Sequence, residues 1–535
     1  MTPQRLLAIA TLSTVLLIAP IAHSAEPIDI GSTAEVALFS FDNVAIPFTH
    51  NLQLSIQRPK KFAGNPVVRR GAAGTPDEFG VQFYGSVIRD KDRFRMWYVA
   101  VDRELQRDPG CVRCLRPAYA ESPDGIHWIK PELGLVEYQG NNRNNLLQIE
   151  PAPLGIINLK VLDEPDDPDA TRRYKMSAQT WWREGRGRGR GTLAPLFSSD
   201  GLRWRLAVDA KPVRGLLPLE NLVLPRHHFE AAGGLYKWKG VYFASGQSSR
   251  NYRHGTGNYT GREVLMHRSR DFVQWSRTAS IGFLRDEQYG NPFPHDAGKE
   301  THEGVSVWHR GNVLIGLSGM WQGAGHKKDV TIDLGLLVSN DGVHFREPIR
   351  DWIFLQHGED GKWDEGGLLQ GQGFANVGDK TLIWYGSWDP RVGTNYQPRG
   401  GVGLATLPRD RFGALAVRTS DQPAEFVSGV LQADASRPAT VRQRLYVNAD
   451  GLSQDARLRF ELLDEQEHPL AGFSGEHAAI VDEGGFRTPV SWQTNRDNAH
   501  LPARFRLRVS FEGKQRDRVR FYAAYMSSKT GGVHE

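Results

Sequence analysis

Apolar and polar positions alternate along most of this chain in short runs, the two-residue period of strands whose successive side chains face opposite sides of a sheet. The strongest runs are Ser86–Ala100, Gly233–Gly246, Gly304–Gly319 and Phe374–Trp388. Each is broken by a Gly- or Asp-containing turn and resumes at once, which predicts hairpins. Gly155–Trp182 is a variant with a longer, acidic turn. Every hairpin leads into a further strand that ends in a small-residue/Asp turn: AYAESPDGIHW around Asp124, LFSSDGLRW around Asp200, LMHRSRDFVQW around Asp271, LLVSNDGVHF around Asp341 and LATLPRDRFG around Asp410. The intervals between these aspartates are 76, 71, 70 and 69 residues, and the third and fifth copies lose the Gly after the Asp. A repeat of this length, made of strands with no helical stretch between them, predicts a β-propeller blade; five copies predict five blades. The five aspartates themselves are expected to stabilise turns in the outer strands.

The pattern changes after Phe412-Gly413. From Arg437 onward, long alternating strands (RQRLYVNAD, ARLRFELLDEQ, RFRLRVSFEG, DRVRFYAAYM) predict an antiparallel β-sandwich. Ala34–Ile56 reads as one or two strands and is expected to pair with the last blade and close the ring. The expected fold class is therefore all-β, a five-bladed β-propeller over residues 26–416 followed by a β-sandwich over 417–535. A length of 535 residues agrees with two folded units.

Composition narrows the picture. Aromatics at 10%, with 57 Gly and 30 Pro, suit a turn-rich all-β protein. A net charge of +5 with scattered basic residues, apart from the Gly-interleaved run Arg183–Arg190 at a hairpin tip, argues against nucleic acid as a partner. Arg5, the apolar run Leu6–Ile21 and the small residues Ala22, Ser24 and Ala25 form a signal-peptide pattern over residues 1–25, with an N-terminal membrane anchor as the alternative. The mature protein is expected to be secreted or periplasmic and not membrane-bound. In such a compartment Cys111 and Cys114, the only cysteines, are expected to form a local disulfide.

The candidate chemistry lies in the loops that open each repeat. These loops carry Asp77 and Glu78 in the first, His227, His228 and Glu230 in the third, Asp296, Glu300, His302 and Glu303 in the fourth, and Asp364 and Glu365 in the fifth. A propeller brings equivalent loops to one mouth. Cleaving a glycosidic bond needs one carboxyl protonated and a second ionised, and crowding acids separates their pKa values. Phe79, Phe83, Tyr84, Trp321, Trp363 and Trp388 are placed to stack on sugars. The competing readings are turn caps or arginine pairs for the carboxylates and core positions for the tryptophans. His227, His228, His302 and Glu303 could instead form a metal site, although the helical H-E-x-x-H arrangement is missing. No cofactor is expected. The acidic run Asp163–Asp169 reads as a structural calcium site or an exposed hairpin.

The stretches NPVVRRGAAGTPDEFGVQFYGSVIRDKDRFRMWYVA, SPDGIHW, SSDGLRW and GVGLATLPRDRFG resemble the five-bladed propeller glycoside hydrolases, the invertase-like and arabinanase-like families of the family 32/43-type superfamily. The resemblance runs from Phe62 to Ala414, and Arg437–Met526 is similar to the second domain of the invertase-like enzymes. It implies an exported glycoside hydrolase acting on a poly- or oligosaccharide, with Asp77 as first-blade nucleophile or base and Glu230 as third-blade acid. Glu303 is a rival for the acid, and Glu78, His228, His302, Trp321, Asp364, Glu365 and Trp388 would bind substrate. The chain departs from the pattern in two places. Asp77 is followed by Glu78 and Phe79 instead of completing an Asn-Asp-Pro-Asn motif. Arg107-Asp108-Pro109 lies beside the cysteines and not in the second blade, so the second-blade role stays unassigned. The alternatives are a non-catalytic carbohydrate-binding propeller and a sialidase, whose S-x-D-x-G-x-x-W box differs from Ser122-Pro123-Asp124-Gly125 by one residue.

Overall fold

A computed structural model describes residues 26–30, 35–108, 111, 114–186, 189–249, 262–285, 299–323, 330–392, 399–432, 444–492 and 501–527. The leader at 1–25 and Asp296 lie outside the described residues. The chain is nearly all-β, built of many sheets. Among the described residues no helix is long and apolar enough to cross a membrane.

Five successive sheets follow the predicted hairpins. Gly80–Asp90, Arg93–Val101 and Leu115–Ser122 form the first. Asn158–Asp163, Tyr174–Trp182, Arg190–Ser198 and Arg203–Leu206 form the second. Leu235–Trp238, Val241–Ser249, Arg262–Ser269 and Ser280–Phe283 form the third, and Lys299–His309, Leu314–Gln322, Thr331–Ser339 and Ile353–Leu355 the fourth. Gln372–Val377, Lys380–Ser387 and Val402–Pro408 form the fifth, completed by Lys60–Lys61. The first strands of the five sheets touch one another in order, and the last of them pairs with the first in parallel through Gln372–Ser86 and Gly373–Val87. The ring is closed. Middle strands such as Arg93–Val101 are buried at every position after the first because both faces are covered by neighbouring sheets, which removes any need for a polar face.

Four of the five Asp turns share one construction. The Oδ1 of Asp124, Asp200, Asp271 and Asp341 accepts the backbone N–H groups two and three residues on, at 2.7–2.9 Å. Burial alone would raise these carboxyls, yet the hydrogen bonds hold each below its ordinary pKa. The next residue takes a left-handed backbone, with φ of 77° at Gly125 and Gly201 and 81° at Gly342. Phe272 tolerates 66° because its ring is buried against Phe197, Tyr242 and Trp275.

Each turn also receives a hydrogen bond from the sheet before it. Trp384 Nε1 donates to the Gly125 carbonyl (2.9 Å), Trp97 Nε1 to Gly201 (2.7 Å), Arg172 Nη2 to Asp271 (2.7 Å) and Tyr236 Oη to Gly342 (2.7 Å). The fifth copy departs from the expectation of an outer-strand turn. Asp410 itself has φ of 62° and is buried, its carboxylate gripped by both terminal nitrogens of Arg310 and by Asn376 and Tyr525. Here the Asp, and not the residue after it, occupies the left-handed position, and its side chain turns inward.

The terminal strands build two further sheets around one core, in which Arg504–Glu512 buries Phe505, Leu507, Val509 and Phe511 in strict alternation. Contrary to the expectation for Ala34–Ile56, Glu35–Phe39 pairs with Arg520–Ser527, Phe48–His50 with Ala424–Val427, and Leu52–Ile56 with Gly413–Val417. The reason is visible in Glu35–Phe39, which has no polar face: Val36 and Leu38 enter the terminal core, while Ala37 and Phe39 pack on the ring. Only Lys60–Lys61 closes the ring's last sheet. Removing one partner of a buried ion pair strands the other charge. Asp410→Ala is therefore expected to cost about 3–5 kcal/mol in urea unfolding. Asp200→Ala, half-exposed and equivalent in sequence, should cost about 1 kcal/mol.

Candidate active site

One group from each of the five sheets converges where the first strands meet: Tyr84, Lys160, Glu230, Glu303 and Gln370. The arrangement depends on a bulge. In Lys299–His309 the register slips between His302 and Val305, and Glu303 (φ 60°) and Gly304 (φ 84°) both take left-handed backbone. At Gly304 a Cβ would lie 3.0 Å from the Cα atoms of Gly233 and Gly246, so only glycine fits. Glu303 pays about 1 kcal/mol for its conformation. The bulge is held by Gln370, whose side-chain amide donates to the carbonyls of His302 (2.6 Å) and Gly304 (3.0 Å).

Glu230 precedes the third sheet's first strand and bridges to Gln247 on the second. Gln247 joins the two glutamates. Its amide nitrogen donates to Glu230 Oε2 (2.6 Å), and its amide oxygen accepts the Glu303 backbone N–H (2.8 Å). On the other side, His228 Nε2 lies 3.1 Å from Glu230 Oε1. Because His228 Nδ1 accepts the Gly191 N–H (2.9 Å), Nε2 carries the proton and donates it to Glu230.

The pair titrates in opposite directions. Burial raises Glu230, but the His228 hydrogen bond and the electrostatic pull of His228, Arg262 and His302 outweigh it and bring its pKa down to about 2. Burial and then the Glu230 charge push Glu303 well above the ordinary carboxylate range, against opposing pulls from Arg262 and Lys160. Glu303 is thus held neutral beside an ionised neighbour, and its Oε2, although buried, has no hydrogen-bond partner among the described residues. Lys160 lies behind it, fully buried, with Nζ donating to the Tyr84 carbonyl and to that of Gln370 (3.5 Å). Burial drives the Lys160 pKa well down.

Aromatic groups flank the acids. The His302 ring stacks on Trp388 (5.6 Å, 18°), lies 5.5 Å from Trp321, and meets the Tyr84 hydroxyl through Nδ1 at 3.2 Å. Arg262 covers the face of Trp321 at 3.9 Å and stands 3.7 Å from Glu300. Of the expected site residues, Glu230, Glu303, His228, His302, Trp321 and Trp388 come together here.

Asp77, Glu78, Asp364 and Glu365 have other partners. Asp77 is buried against Lys130 and accepts from Tyr98 Oη (2.9 Å), which Asn145 also binds (2.8 Å). Asp364 repeats this arrangement with Lys61 (2.6 Å), Tyr385 (3.1 Å) and Asn65 (3.2 Å to the Tyr385 hydroxyl). Glu78 caps the Gly74 N–H (2.6 Å) and Glu365 caps that of Gly361. The signal for this was in the chain as Gly71-Ala-Ala-Gly74-Thr-Pro-Asp77-Glu78 and Gly358-Glu-Asp-Gly361-Lys-Trp-Asp364-Glu365. This is a loop-capping motif used twice, and no described contact joins it to the Glu230–Glu303 pair. Phe79 and Phe83 are core, and His227 stacks on His267 (5.4 Å). Cys111 and Cys114 form the expected disulfide. In the acidic hairpin, Asp163 is held by Arg173, and Glu164 and Asp167 by Lys175.

No protein-family model matches the chain, and the comparison with curated proteins returns no match. Solved structures do. An N-acetylgalactosamine deacetylase from F. plautii, solved with blood group B trisaccharide, is 16% identical over 67% of this chain and 96% of its own, with a TM-score of 0.42. A glycosyl hydrolase from Bacteroides ovatus is 16% identical over 67% and 95%, with a TM-score of 0.42. A Bombyx mori family 32 β-fructofuranosidase is 11% identical over 88% and 93%, with a TM-score of 0.36. At such identities the chemistry has to be argued from the residues themselves.

The opposite shifts carry a pH signature. Glu303 binds its proton more tightly when folded, so its contribution is complete below the ordinary carboxylate range and is lost as pH rises through its raised value. Glu230 contributes above that range and loses its contribution as pH falls toward about 2. Urea unfolding of Glu303→Gln should therefore lack the alkaline decline of the parent protein and keep the acid one.

Proposed function

We propose that the protein is an exported glycoside hydrolase, its five sheets the blades of a β-propeller, its terminal sheets a β-sandwich, and its active centre the Glu230–Glu303 pair. The observation that carries this reading is a largely buried carboxyl held neutral, with one oxygen unpartnered among the described residues, beside an ionised carboxylate. Glycosidic cleavage needs a proton delivered to the leaving oxygen and negative charge near the oxocarbenium-like anomeric carbon. In this reading Glu303 gives the proton and Glu230 supplies the charge. Trp388, only partly buried, offers apolar ring surface to a sugar, and Gln247 holds both glutamates in place. The acid's role thus falls to Glu303, the rival candidate, in place of Glu230, and Asp77 has a supporting part. Export is supported by the Cys111–Cys114 disulfide, a bond of oxidising compartments, and by the leader pattern.

The test is a panel of α- and β-linked oligosaccharides incubated with the purified protein, with product release and sugar binding followed together. Glu303→Gln is expected to lower kcat by about 10²–10⁴-fold with binding retained. Asp77→Asn should reduce stability through the stranded Lys130 while leaving turnover of the folded fraction within a few-fold. Sugar binding without released product, unchanged in Glu303→Gln and Glu230→Gln, would overturn the hydrolase and leave a binding protein.

A further inference from the structure

Three of the five first strands are interrupted where they meet. The register of Gly80–Asp90 with Arg93–Val101 jumps from Gln82 to Ser86 and leaves Tyr84 outside the ladder. That of Lys299–His309 jumps from His302 to Val305, at Glu303. In the fifth sheet, pairing with Lys380–Ser387 stops at Leu369 and resumes at Phe374, with Gln370 in the gap. Buried backbone groups outside a ladder take their partners from elsewhere, and one side chain of the second sheet serves two of these gaps.

That side chain is Lys160. Along Asn158–Asp163, Leu159 and Val161 enter the core of the second sheet, while Asn158 and Lys160 turn to the other face. There Asn158 Oδ1 accepts from Gln82 Nε2 (2.5 Å), and Lys160 Nζ donates to the Tyr84 carbonyl of the first sheet and to the Gln370 carbonyl of the fifth (3.5 Å). Lys160 is 1% exposed, and among the described residues it meets no carboxylate within ion-pair distance. An ammonium group this deep is costly. What lysine offers over an apolar chain of its length is a head with three N–H groups, able to serve two sheets at once. Both residues that it holds lead to Glu303. Tyr84 Oη meets His302 Nδ1 at 3.2 Å, and the Gln370 side-chain amide donates to the carbonyls of His302 (2.6 Å) and Gly304 (3.0 Å), the residues on either side of Glu303.

We propose that Lys160 is a positioning residue for Glu303: it ties Tyr84 to Gln370, and these two hold the left-handed bulge that keeps the Glu303 carboxyl largely enclosed beside Glu230. Its part is to fix geometry and not to supply charge. For its effect on turnover, the inference rests on the Glu230–Glu303 pair being the active centre. The titratable groups around Glu303 are Glu230, His302, Arg262 and Lys160 itself. Geometry and charge differ in sign. A slackened bulge admits water and draws Glu303 away from Glu230, so its raised pKa falls toward the ordinary value. Loss of a lysine charge alone removes a pull that lowers Glu303, so its pKa rises further.

The test is urea unfolding of the full chain against pH, for the parent protein and Lys160→Met, each with and without Glu303→Gln. The difference within each background isolates the titration of Glu303. Its contribution is lost as pH rises through the raised value, so Lys160→Met is expected to bring that loss about one pH unit or more lower. On an oligosaccharide that the parent cleaves, kcat should fall about 10–100-fold with KM within a few-fold, because a small displacement of the acid is enough for that. If Lys160→Met does not fold, Lys160→Gln, whose amide is one bond shorter and cannot span both carbonyls, is read in the same way. A Glu303 midpoint that stays or moves up, or an unchanged kcat, would overturn the positioning role. A parent protein that cleaves nothing in the panel would defeat the hydrolase reading alone, and the midpoint would still decide what Lys160 does.

Discussion

Everything at the centre of this molecule depends on a joint repeated around the ring: a polar side chain of one sheet reaching the Asp turn of the next. Trp384, Trp97, Arg172 and Tyr236 donate to turn carbonyls, and Arg310 makes the fifth link to Asp410. A turn carbonyl pointing between sheets would otherwise be a buried acceptor without a donor, and such groups are costly. The link satisfies it and fixes the angle between neighbours in one step. In three of the turns the accepting carbonyl is that of the left-handed glycine after the Asp; at Asp271 it is the Asp's own carbonyl, and at Asp410 the acceptor is the side chain.

Closure of the ring sets the environment of the glutamates. Five first strands crowd together, and each brings backbone polar groups that must be satisfied within the cluster. Gln247 and Gln370 do much of this by spanning sheets, and Lys160 does so through two carbonyls. With the two carboxyls largely enclosed and the polar groups fixed, the charge on Glu230 acts on Glu303 with less screening than at the open surface, and like-charge repulsion is stronger. The left-handed backbone at Glu303 is tolerated because glutamine amides hold the bulge from both sides. Strain, burial and charge separation thus have one origin, the convergence of strands at the axis.

Local patterns made the ring legible in the sequence, because two-residue alternation and the Asp turn are written within each sheet. The pairing of the N-terminal strands was not. Glu35–Phe39 is apolar on both faces, and such a strand suits any sheet lying between two cores; only the packed molecule selects Arg520–Ser527 as partner. Among the site residues, Glu230 and Glu303 stood out as carboxylates in equivalent loops. Asp77 and Asp364 looked the same by that criterion and proved to be paired with Lys130 and Lys61, because their cationic partners lie 53 and 303 residues away in the chain. Lys160 was the readable signal that was missed, a lone charge in the apolar strand Asn158–Asp163. Gln247 carries no local sign of its role.

The difference between the two kinds of carboxyl follows from what faces them. Asp77, Asp364, Glu78 and Asp410 each meet a lysine or arginine within ion-pair distance. A buried carboxylate so paired is a stable anion and a poor proton donor. Among the described residues Glu303 meets no lysine or arginine within ion-pair distance, and its one such neighbour is His302 Nε2 at 3.9 Å. Arg262 is committed to Trp321 and Glu300 and Lys160 is turned toward backbone carbonyls, while the largest charge effect on Glu303 comes from Glu230 and is repulsive. A group in that position holds its proton more tightly than an ordinary carboxyl does. The same convergence of strands that closes the ring therefore leaves one carboxyl without a lysine or arginine partner among the described residues, at the place where the five sheets meet.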